Sequence, residues 1–579
     1  MLPVHRSASK ARSLRVPLHR TILHSRRRYT TPPKTYFQPL DQPPPPPPRT
    51  SLQILRWSLF GVTAFGIGFY MHAYLSARFG LDALEELAGE MDPEDAMAMQ
   101  AALQDGVEVA QALVVHPLTW EQATAVLRRR AGVAVTPTVV SHVCQSPSNL
   151  PCEDMWSSGT YMYLKDSAKD WSEWAIFDGH AGTRTSQALK ELLPVVVGEK
   201  LWESGCMQRI YIANDQRVLR VIQNAFKYLD EEVLGEAKRC LEDDEDGLRP
   251  AEKVSLLSNM LSGSCALLAL FDPTKGVLRV ANTGDSRAVL GTWEDGKYVA
   301  RPMSDDHTGF NPKEVERLAA AHPGEDVIDP KTGRIFGLAV TRAFGDSRWK
   351  WSQELTTKAH ELFWGPAPRP NNVVRTAPYL TAEPEVQEVR VQTGAHADFL
   401  IMASDGLWDH MSNDDAVACV QLWLEHNKPL DLVRRLKTDM EELKNGPSNT
   451  TEKAGTASGG VKSRLPFSFS SHSSPPSDGL EPPSMPDSTP DADPDTYYDP
   501  DQRALKWRVS PKHFVVEDDN AGVHLIKNAF GGSRRRLFES VMTIQPPLSR
   551  DVRDDVTVHV IFFGVDAKAE AKEMEGGRG

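Results

Sequence analysis

Acidic residues stand where several apolar runs of the sequence end. Asp178 follows "WAIF", Asp285 follows "LRVANTG" and Asp405 follows "FLIMAS". Asp178 and Asp405 are each followed by glycine, and Asp-Gly is among the commonest turn dipeptides, so either one alone predicts only a turn. Because two apolar runs end in Asp-Gly and more acids flank other runs, we expect these carboxylates to share a task.

Further acids flank the other strand-like runs. They are Glu153 and Asp154 before "MWSSGTYMYL", Asp409 four residues after Asp405, and Asp554 with Asp555 before "VTVHVIFF". Carboxylates gathered at one end of a sheet repel each other and lose hydration unless cations neutralise them. No Cys or His accompanies them in ligand spacing, so the oxygen donors predict Mg²⁺ or Mn²⁺. Two such ions about 3.5–4 Å apart form a site for in-line displacement at phosphorus.

A mixed pattern of strands and helices surrounds these acids between about residues 115 and 440. The clearest strand-like runs are "SCALLALFD", "GVLRVANTG", "SRAVLGTW" and "DFLIMASDG". The clearest helical segments are 183–201 and 311–321, where Pro312 suits the first turn. This order predicts α+β layers. Residues 445–505 are rich in Ser, Pro and Gly and predict a disordered insertion, after which a helix and a strand resume.

The N-terminal part predicts targeting and anchoring. Residues 1–40 are rich in Arg and Ser, which is typical of a mitochondrial transit peptide, although a disordered basic arm for an acidic partner is the alternative. A Pro-rich linker, 41–56, precedes the span 57–76, which contains no Lys, Arg, Asp or Glu. Twenty helical residues extend roughly 30 Å, which predicts a transmembrane helix, with a buried helix as the alternative. Residues 77–114 predict a helical spacer, and 566–579 form a tail.

Charge and cysteine content exclude some classes of function. Residues 1–50 contain ten Lys or Arg and one acid, a net charge of +9, so the remaining residues carry −22 of the total of −13. An acidic body argues against nucleic-acid binding, which needs a basic surface. The six cysteines are scattered without a Cys-x-x-Cys pair, so the sequence indicates neither a zinc site nor a disulfide framework.

Eight motifs resemble, in the same order, those of the metal-dependent serine/threonine protein phosphatases of the type 2C or PPM family. They are "CEDMWSSG", "AIFDGHAG", "SGSCALLALFD", "ANTGDSRAVL", "GLAVTRAFGD", "YLTAEPEV", "MASDGLWD" and "RDDVTVHVIFF". The resemblance covers 115–565 apart from the insertion. It implies a central antiparallel β-sandwich flanked by helix pairs, four αββα layers, with metals in a cleft at one end.

The resemblance implies a role for each acid in these motifs. The implied ligands of two core metals are Asp178, which bridges both, the Gly179 carbonyl, Asp405 and Asp554, while Glu153 and Asp154 hold metal-bound waters. Asp285 and Asp409, together with Asp405, match a third, weaker metal site of some members, although "TGDSR" could equally be a structural turn. His180 matches the residue proposed to protonate the leaving seryl oxygen; a structural surface histidine is the alternative.

The chemistry of the residues agrees with these implied roles. A water between two divalent ions is acidic enough to act as a nucleophile near neutral pH, and the ions absorb charge on the phosphoryl oxygens. An imidazole with a pKa near neutrality can give the leaving alkoxide a proton. Gly179 must be small so that its carbonyl can approach an ion closely.

One position indicates the branch of the family. Many members carry an Arg that grips the substrate phosphate where this chain has Asn149, in "SNLPCED". The pyruvate dehydrogenase phosphatase branch has a similar motif, and "RAFGDSRWKW" and "LTWEQATAVLRRR" also resemble it. Loss of the Arg removes a charge-assisted phosphate contact, which leaves the metals and other groups, with Asn149, to bind the phosphate. The branch implies a phosphoprotein substrate, the phosphorylated E1 subunit of pyruvate dehydrogenase.

Location and activity leave alternatives open. An inner-membrane anchor at 57–76, in contact with lipid, could leave the catalytic domain in the intermembrane space or in the matrix, where pyruvate dehydrogenase resides. The main hypothesis is an active two-metal phosphatase. The alternatives are a catalytically weak or inactive phosphoprotein-binding scaffold at the inner membrane, and a membrane tether in which catalysis is secondary. A dead scaffold predicts damaged metal acids, and all the core acids are present.

Overall fold

The computed structural model describes residues 30–31, 34–37, 117–161, 169–207, 215–243, 247–370, 374–445, 495–499 and 504–565. Most of the expected leader, the expected membrane helix at 57–76, the spacer and the tail lie outside these residues. In the described ranges, no helix is both long and apolar enough to cross a membrane.

Two antiparallel sheets form the centre of the fold. The six-stranded sheet contains, in spatial order, β1 (Thr30–Thr31), β5 (Met155–Tyr161), β6 (Trp171–Phe177), β9 (Ala266–Asp272), β10 (Val277–Thr283) and β14 (Glu385–Arg390). The seven-stranded sheet contains β12 (Lys297–Pro302), β11 (Arg287–Glu294), β15 (Phe399–Ala403), β18 (Val556–Phe563), β4 (Val139–Ser146), β3 (Ala131–Val135) and β2 (Lys34–Phe37). Every strand pairing in them is antiparallel.

The central strands are apolar on both faces because each face is covered. Along β15, Leu400 and Met402 belong to the core between the sheets. The alternate residues Phe399, Ile401 and Ala403 belong to the core beneath the outer helices. Since successive side chains of a strand point to opposite faces, burial on both sides produces the continuous apolar runs of the sequence.

Helices cover the outer face of each sheet. Those on the six-stranded sheet are α2 (Arg184–Glu203), α3 (Asp215–Tyr228), a π-helix (Leu229–Leu234), α4 (Glu236–Glu242) and α5 (Pro250–Leu261). Those on the seven-stranded sheet are α1 (Trp120–Arg128), α10 (Asn413–His426), α11 (Asp431–Asn445), α12 (Ala521–Ala529) and α13 (Arg535–Thr543). The predicted α+β fold, with its sandwich between helix layers, is therefore confirmed.

The remaining elements lie between or beside these layers. They are α6 (Pro312–Ala321), α7 (Ser347–Lys350), α8 (Gln353–Phe363), α9 (Asp405–Trp408), the 3-10 helices Pro511–His513 and Leu548–Asp551, a small sheet of β13 (Phe344–Gly345), β8 (Gly263–Ser264) and β7 (Gly179–His180), and a hairpin of β16 (Thr496–Asp499) and β17 (Ala504–Trp507). Helix α6 has Pro312 in its first turn, as the sequence predicts, and Asn311 is its N-cap.

Four short strands lie inside or at the end of segments that the sequence analysis assigned to the insertion and to the leader. The hairpin β16–β17 lies at the end of the predicted insertion and is held by Trp507, which is buried and stacks on His410 at 4.6 Å. Residues 446–494 lie outside the described part. Strands β1 and β2 lie within the expected leader and form an edge of each sheet, where they pair with β5 and β3. The leader boundary at residue 40 stays a prediction.

Candidate active site

Strand direction brings the acids to one end of the sandwich. Asp178, Asp285 and Asp405 follow the C-terminal ends of β6, β10 and β15. In an antiparallel pair the start of one strand lies beside the end of its neighbour, so the acids that precede β5 and β18 meet the first group. Met155 pairs with Phe177, and Val558 pairs with Ala403.

Three carboxylates form the centre of the site. Oxygen atoms of Asp178, Asp285 and Asp405 all lie within 4.8 Å of one another. Asp178 Oδ2 and Asp405 Oδ1 are buried and accept no hydrogen bond from the described residues. Buried carboxylate oxygens without donors are costly, so this cluster is arranged for a cation.

The acids raise each other's pKa. Burial raises the pKa of Asp178 well above its usual value, and the charges of Asp405, Asp154 and Asp285 add to the rise. Burial and Asp405 raise the pKa of Asp285 to about 7, and burial and Asp409 raise that of Asp405 to about 6. Without a cation, repulsion between these buried carboxylates destabilises the folded state.

Asp154 is fixed at the base of the cluster by two hydroxyl groups. Its Oδ2 accepts hydrogen bonds from Ser404 Oγ at 2.7 Å and Thr557 Oγ1 at 2.8 Å. Burial and the charge of Asp555 raise its pKa to about 7. Glu153 lies nearer the surface, where its Oε1 accepts the Gly182 N–H at 2.6 Å.

The neighbouring aspartates Asp554 and Asp555 have different tasks. Asp555 is buried and accepts the backbone N–H groups of Ser148, Asn149 and Glu153 at 2.5, 2.9 and 2.8 Å, so it holds the loop 148–153 in place. The Asp554 carboxylate is partly exposed and forms an ion pair with Arg550. Asp554 is therefore the one of the two that is available to a metal ion.

His180 is oriented by a residue that the sequence analysis missed. His180 Nε2 lies 2.7 Å from Asp346 Oδ2, across the small sheet of β7, β8 and β13. Gly263 lies between them: a Cβ there would stand 2.1 Å from His180 Nε2 and 2.2 Å from Asp346 Oδ2. Burial lowers the pKa of His180, but the Asp346 carboxylate, together with the charges of Asp285 and Glu153, raises it, and the net shift is upward.

Two other expected residues have defined surroundings. Gly179 packs against the backbone of the acid pair, since a Cβ there would stand 2.4 Å from the Glu153 carbonyl oxygen. Close packing is therefore a reason for glycine at this position. Asp409 ends α9 at the surface, and partial burial and the charge of Asp285 raise its pKa.

A second group of candidate ligands is already neutralised. His307, Glu314 and Glu385 lie close enough together to hold an ion. However, Arg342 donates to Glu314 Oε1 at 2.6 and 3.0 Å, and Arg317 donates to Glu314 Oε2 at 2.8 Å. The guanidinium groups take the place of a metal, and this cluster anchors α6.

The residues of the main cluster fit Mg²⁺ or Mn²⁺. All the side-chain donors are oxygens, three carboxylates meet at Asp178, Asp285 and Asp405, and two of their oxygens are buried without partners. Such hard divalent cations prefer oxygen ligands.

The sequence comparisons agree with this geometry. The sequence profile of the family described as "Protein phosphatase 2C" matches residues 148–444, about half of the chain. The chain belongs to the protein phosphatase 2C family. It is accordingly a protein serine/threonine phosphatase.

Three relatives illustrate the similarity. A protein phosphatase 2C homologue of Schizosaccharomyces pombe is 36% identical over 429 residues, which cover 72% of this chain and 79% of the relative. The mitochondrial pyruvate dehydrogenase phosphatase 1 of Saccharomyces cerevisiae is 30% identical, covering 73% of this chain and 68% of the relative. The Bos taurus protein of the same name is 28% identical, covering 72% and 76%.

Proposed function

We propose that the chain is a mitochondrial, Mg²⁺- or Mn²⁺-dependent phosphatase that acts on the phosphorylated E1 subunit of pyruvate dehydrogenase. The single observation that carries the metal dependence is the cluster of Asp178, Asp285 and Asp405, with buried oxygens that lack donors. The substrate and location rest on the relatives in yeast and cattle that are named mitochondrial pyruvate dehydrogenase phosphatases.

In this mechanism the protein groups position charge and protons. Asp178, Asp405, Asp554 and the Gly179 carbonyl would hold two ions, and Asp285 with Asp409 would help to hold a third. Bound ions supply a nucleophile at neutral pH and neutralise charge on the phosphoryl oxygens. His180, kept protonated and oriented by Asp346, donates a proton to the leaving seryl or threonyl oxygen.

The test is hydrolysis of a phosphoserine peptide with Mn²⁺ or Mg²⁺. We expect Asp178→Asn and Asp405→Ala to reduce kcat/KM by at least about a hundredfold, because metal ions contribute several kcal/mol to such reactions. The matched control is Asp295→Asn, an exposed acid in the β11–β12 turn, which should keep full activity. Turnover that is unaffected by Asp405→Ala would contradict the proposal.

The substrate and the location have separate tests. Phosphorylated pyruvate dehydrogenase should be hydrolysed with a higher kcat/KM than an unrelated phosphopeptide. Equal values would contradict the proposed substrate but not the phosphatase activity. Protease treatment of mitochondria with a ruptured outer membrane tests the location. Protection of the catalytic domain supports the matrix, whereas digestion excludes pyruvate dehydrogenase as a direct substrate.

A further inference from the structure

A phosphate dianion in this site needs a donor other than the metal ligands, and Asn149 is already engaged. Its Nδ2 lies 3.2 Å from Glu153 Oε2 and 3.3 Å from Asp555 Oδ2. The two protons of this amide therefore go to two carboxylates. An incoming phosphate would have to break one of these hydrogen bonds to use Asn149.

Arg550 lies beside the same loop. It is in the 3-10 helix Leu548–Asp551, which is tied to the loop by the hydrogen bond from Ser549 Oγ to the Ser148 carbonyl, 2.5 Å. The Arg550 guanidinium forms an ion pair with Asp554, and its side chain is 44% exposed. It thus reaches the acid cluster and is also open to an incoming ligand.

The nearby Arg553 has a structural role and differs from Arg550 in its burial and its hydrogen-bond partners. Arg553 is buried, and its guanidinium donates to backbone carbonyls, among them that of Pro147 at 3.2 Å. Arg550 instead pairs with a carboxylate that is itself a proposed metal ligand.

The Asp554 carboxylate would serve either Arg550 or a bound ion, so a site with its ion in place would hold this guanidinium less tightly. The Arg550 side chain would then have free donors beside the acids, and a guanidinium can bind two phosphate oxygens at once. Little reorganisation is needed because the backbone of Arg550 is fixed by the 3-10 helix.

We propose that Arg550 binds the phosphate group of the substrate, in place of Asn149. The inference rests on the proposed phosphatase function and deepens it. Arg550 also neutralises Asp554 while no metal is bound, so the same side chain serves the site in both states.

The test compares Arg550→Ala with the wild-type protein and with the control Arg217→Ala, an exposed arginine on α3. The measurements are KM for a phosphoserine peptide, the inhibition constant of inorganic phosphate, and Mn²⁺ affinity by calorimetry. We expect KM and the inhibition constant to rise together by about ten- to a hundredfold, the effect of a lost charge-assisted hydrogen bond. Mn²⁺ should bind as tightly or more tightly, because a positive charge has left the acid cluster.

The results of these measurements distinguish phosphate binding by Arg550 from an indirect effect through the metals. Unchanged phosphate and peptide constants overturn the proposal. So does a defect that disappears at saturating Mn²⁺, because Arg550 would then act only through the metals. Arg550→Lys should recover part of the affinity, since the charge remains while the bidentate geometry is lost. If the wild-type protein itself hydrolyses no phosphopeptide, the proposed function fails, and this result is distinct from a failure of the Arg550 assignment.

Discussion

The His180 imidazole and the Asp346 carboxylate act as one unit, and removal of the charge should move the pH profile. Asp346→Asn keeps a polar group of the same size, and Asn tolerates the left-handed backbone at this position, φ 51°. Since Asp346 raises the pKa of His180, the variant should lower it. The protonated donor is then lost at a lower pH, so the alkaline limb of the kcat profile should shift to lower pH. We expect kcat at neutral pH to fall roughly tenfold, less than for His180→Ala, with KM nearly unchanged.

Two measurements check this prediction. The pH profile of kcat gives the position of the alkaline limb, and NMR titration of the His180 ring gives its pKa directly. Asp295→Asn again serves as the acid control. A His180 pKa that falls while the alkaline limb stays in place would show that His180 is not the proton donor.

Some residues of the site could be predicted from their neighbours in the sequence, and others could not. Asp178, Asp285 and Asp405 were recognisable because each interrupts an apolar run, and the structure brings them together. Asp346 stands in "FGDS" after no such run, and its contact with His180 depends on a sheet of two-residue strands across Gly263. No pattern along the chain records a pairing between residues so distant in sequence. The different tasks of Asp554 and Asp555 were equally hidden, because they depend on which carboxylate faces the loop.

The loop 148–153 depends on Asp555, and the adjacent aspartates should therefore fail in different ways when replaced. Asp555→Ala leaves three backbone N–H groups without their acceptor, and each costs about 1–3 kcal/mol if it stays unpaired. We expect a loss of about 3 kcal/mol or more in the free energy of unfolding. Asp554→Ala should cost no more than about 1 kcal/mol, for the hydrogen bond to the Asp555 N–H, but should abolish tight Mn²⁺ binding.

Denaturant unfolding of the metal-free variants, followed by Mn²⁺ calorimetry, measures both effects. Equal destabilisation by the two substitutions would contradict the division of tasks. So would normal Mn²⁺ binding by Asp554→Ala.

Helices and strands could be predicted where the sequence has a regular apolar pattern. They were harder to predict where contacts with distant residues stabilise them. The long apolar strands and the capped helix α6 follow from local sequence. The hairpin β16–β17 does not, because its stability comes from Trp507 packing on His410 and not from its own composition. The edge strands β1 and β2 lie in a basic segment that is typical of a leader, and only their partners β5 and β3 make them strands.

The molecule as a whole concentrates negative charge at one end of its sandwich, and this links its stability to metal and pH. Burial and neighbouring acids raise the pKa of Asp154 and Asp285 to about 7, compared with about 4 in an unfolded chain. Between these values the metal-free folded state holds protons that the unfolded state has lost. This contribution to stability is present at low pH and is lost as the pH rises through about 7.

Buried histidines act in the opposite direction over part of this range. Burial lowers the pKa of His142, His410 and His524 to about 4 and that of His559 to about 3. They are neutral in the folded state, so their contribution is lost as the pH falls below about 6.5. The total pH dependence mixes both groups, but the histidines contribute equally with and without metal.

The stabilisation by Mn²⁺ should therefore grow with pH. The ion needs deprotonated carboxylates, so the metal-free site must release any proton that it still holds. For each proton released, a rise of one pH unit makes binding more favourable by up to about 1.4 kcal/mol. We expect the difference in Tm between Mn²⁺-loaded and chelator-treated protein to increase from pH 5 to pH 8. In Asp405→Asn the metal-free protein should be less sensitive to pH, and the Mn²⁺-dependent difference should be lost. A difference that is constant across this range would contradict the assignment, because the contribution of the four buried histidines cancels and the titratable groups of the site would then not respond to the ion.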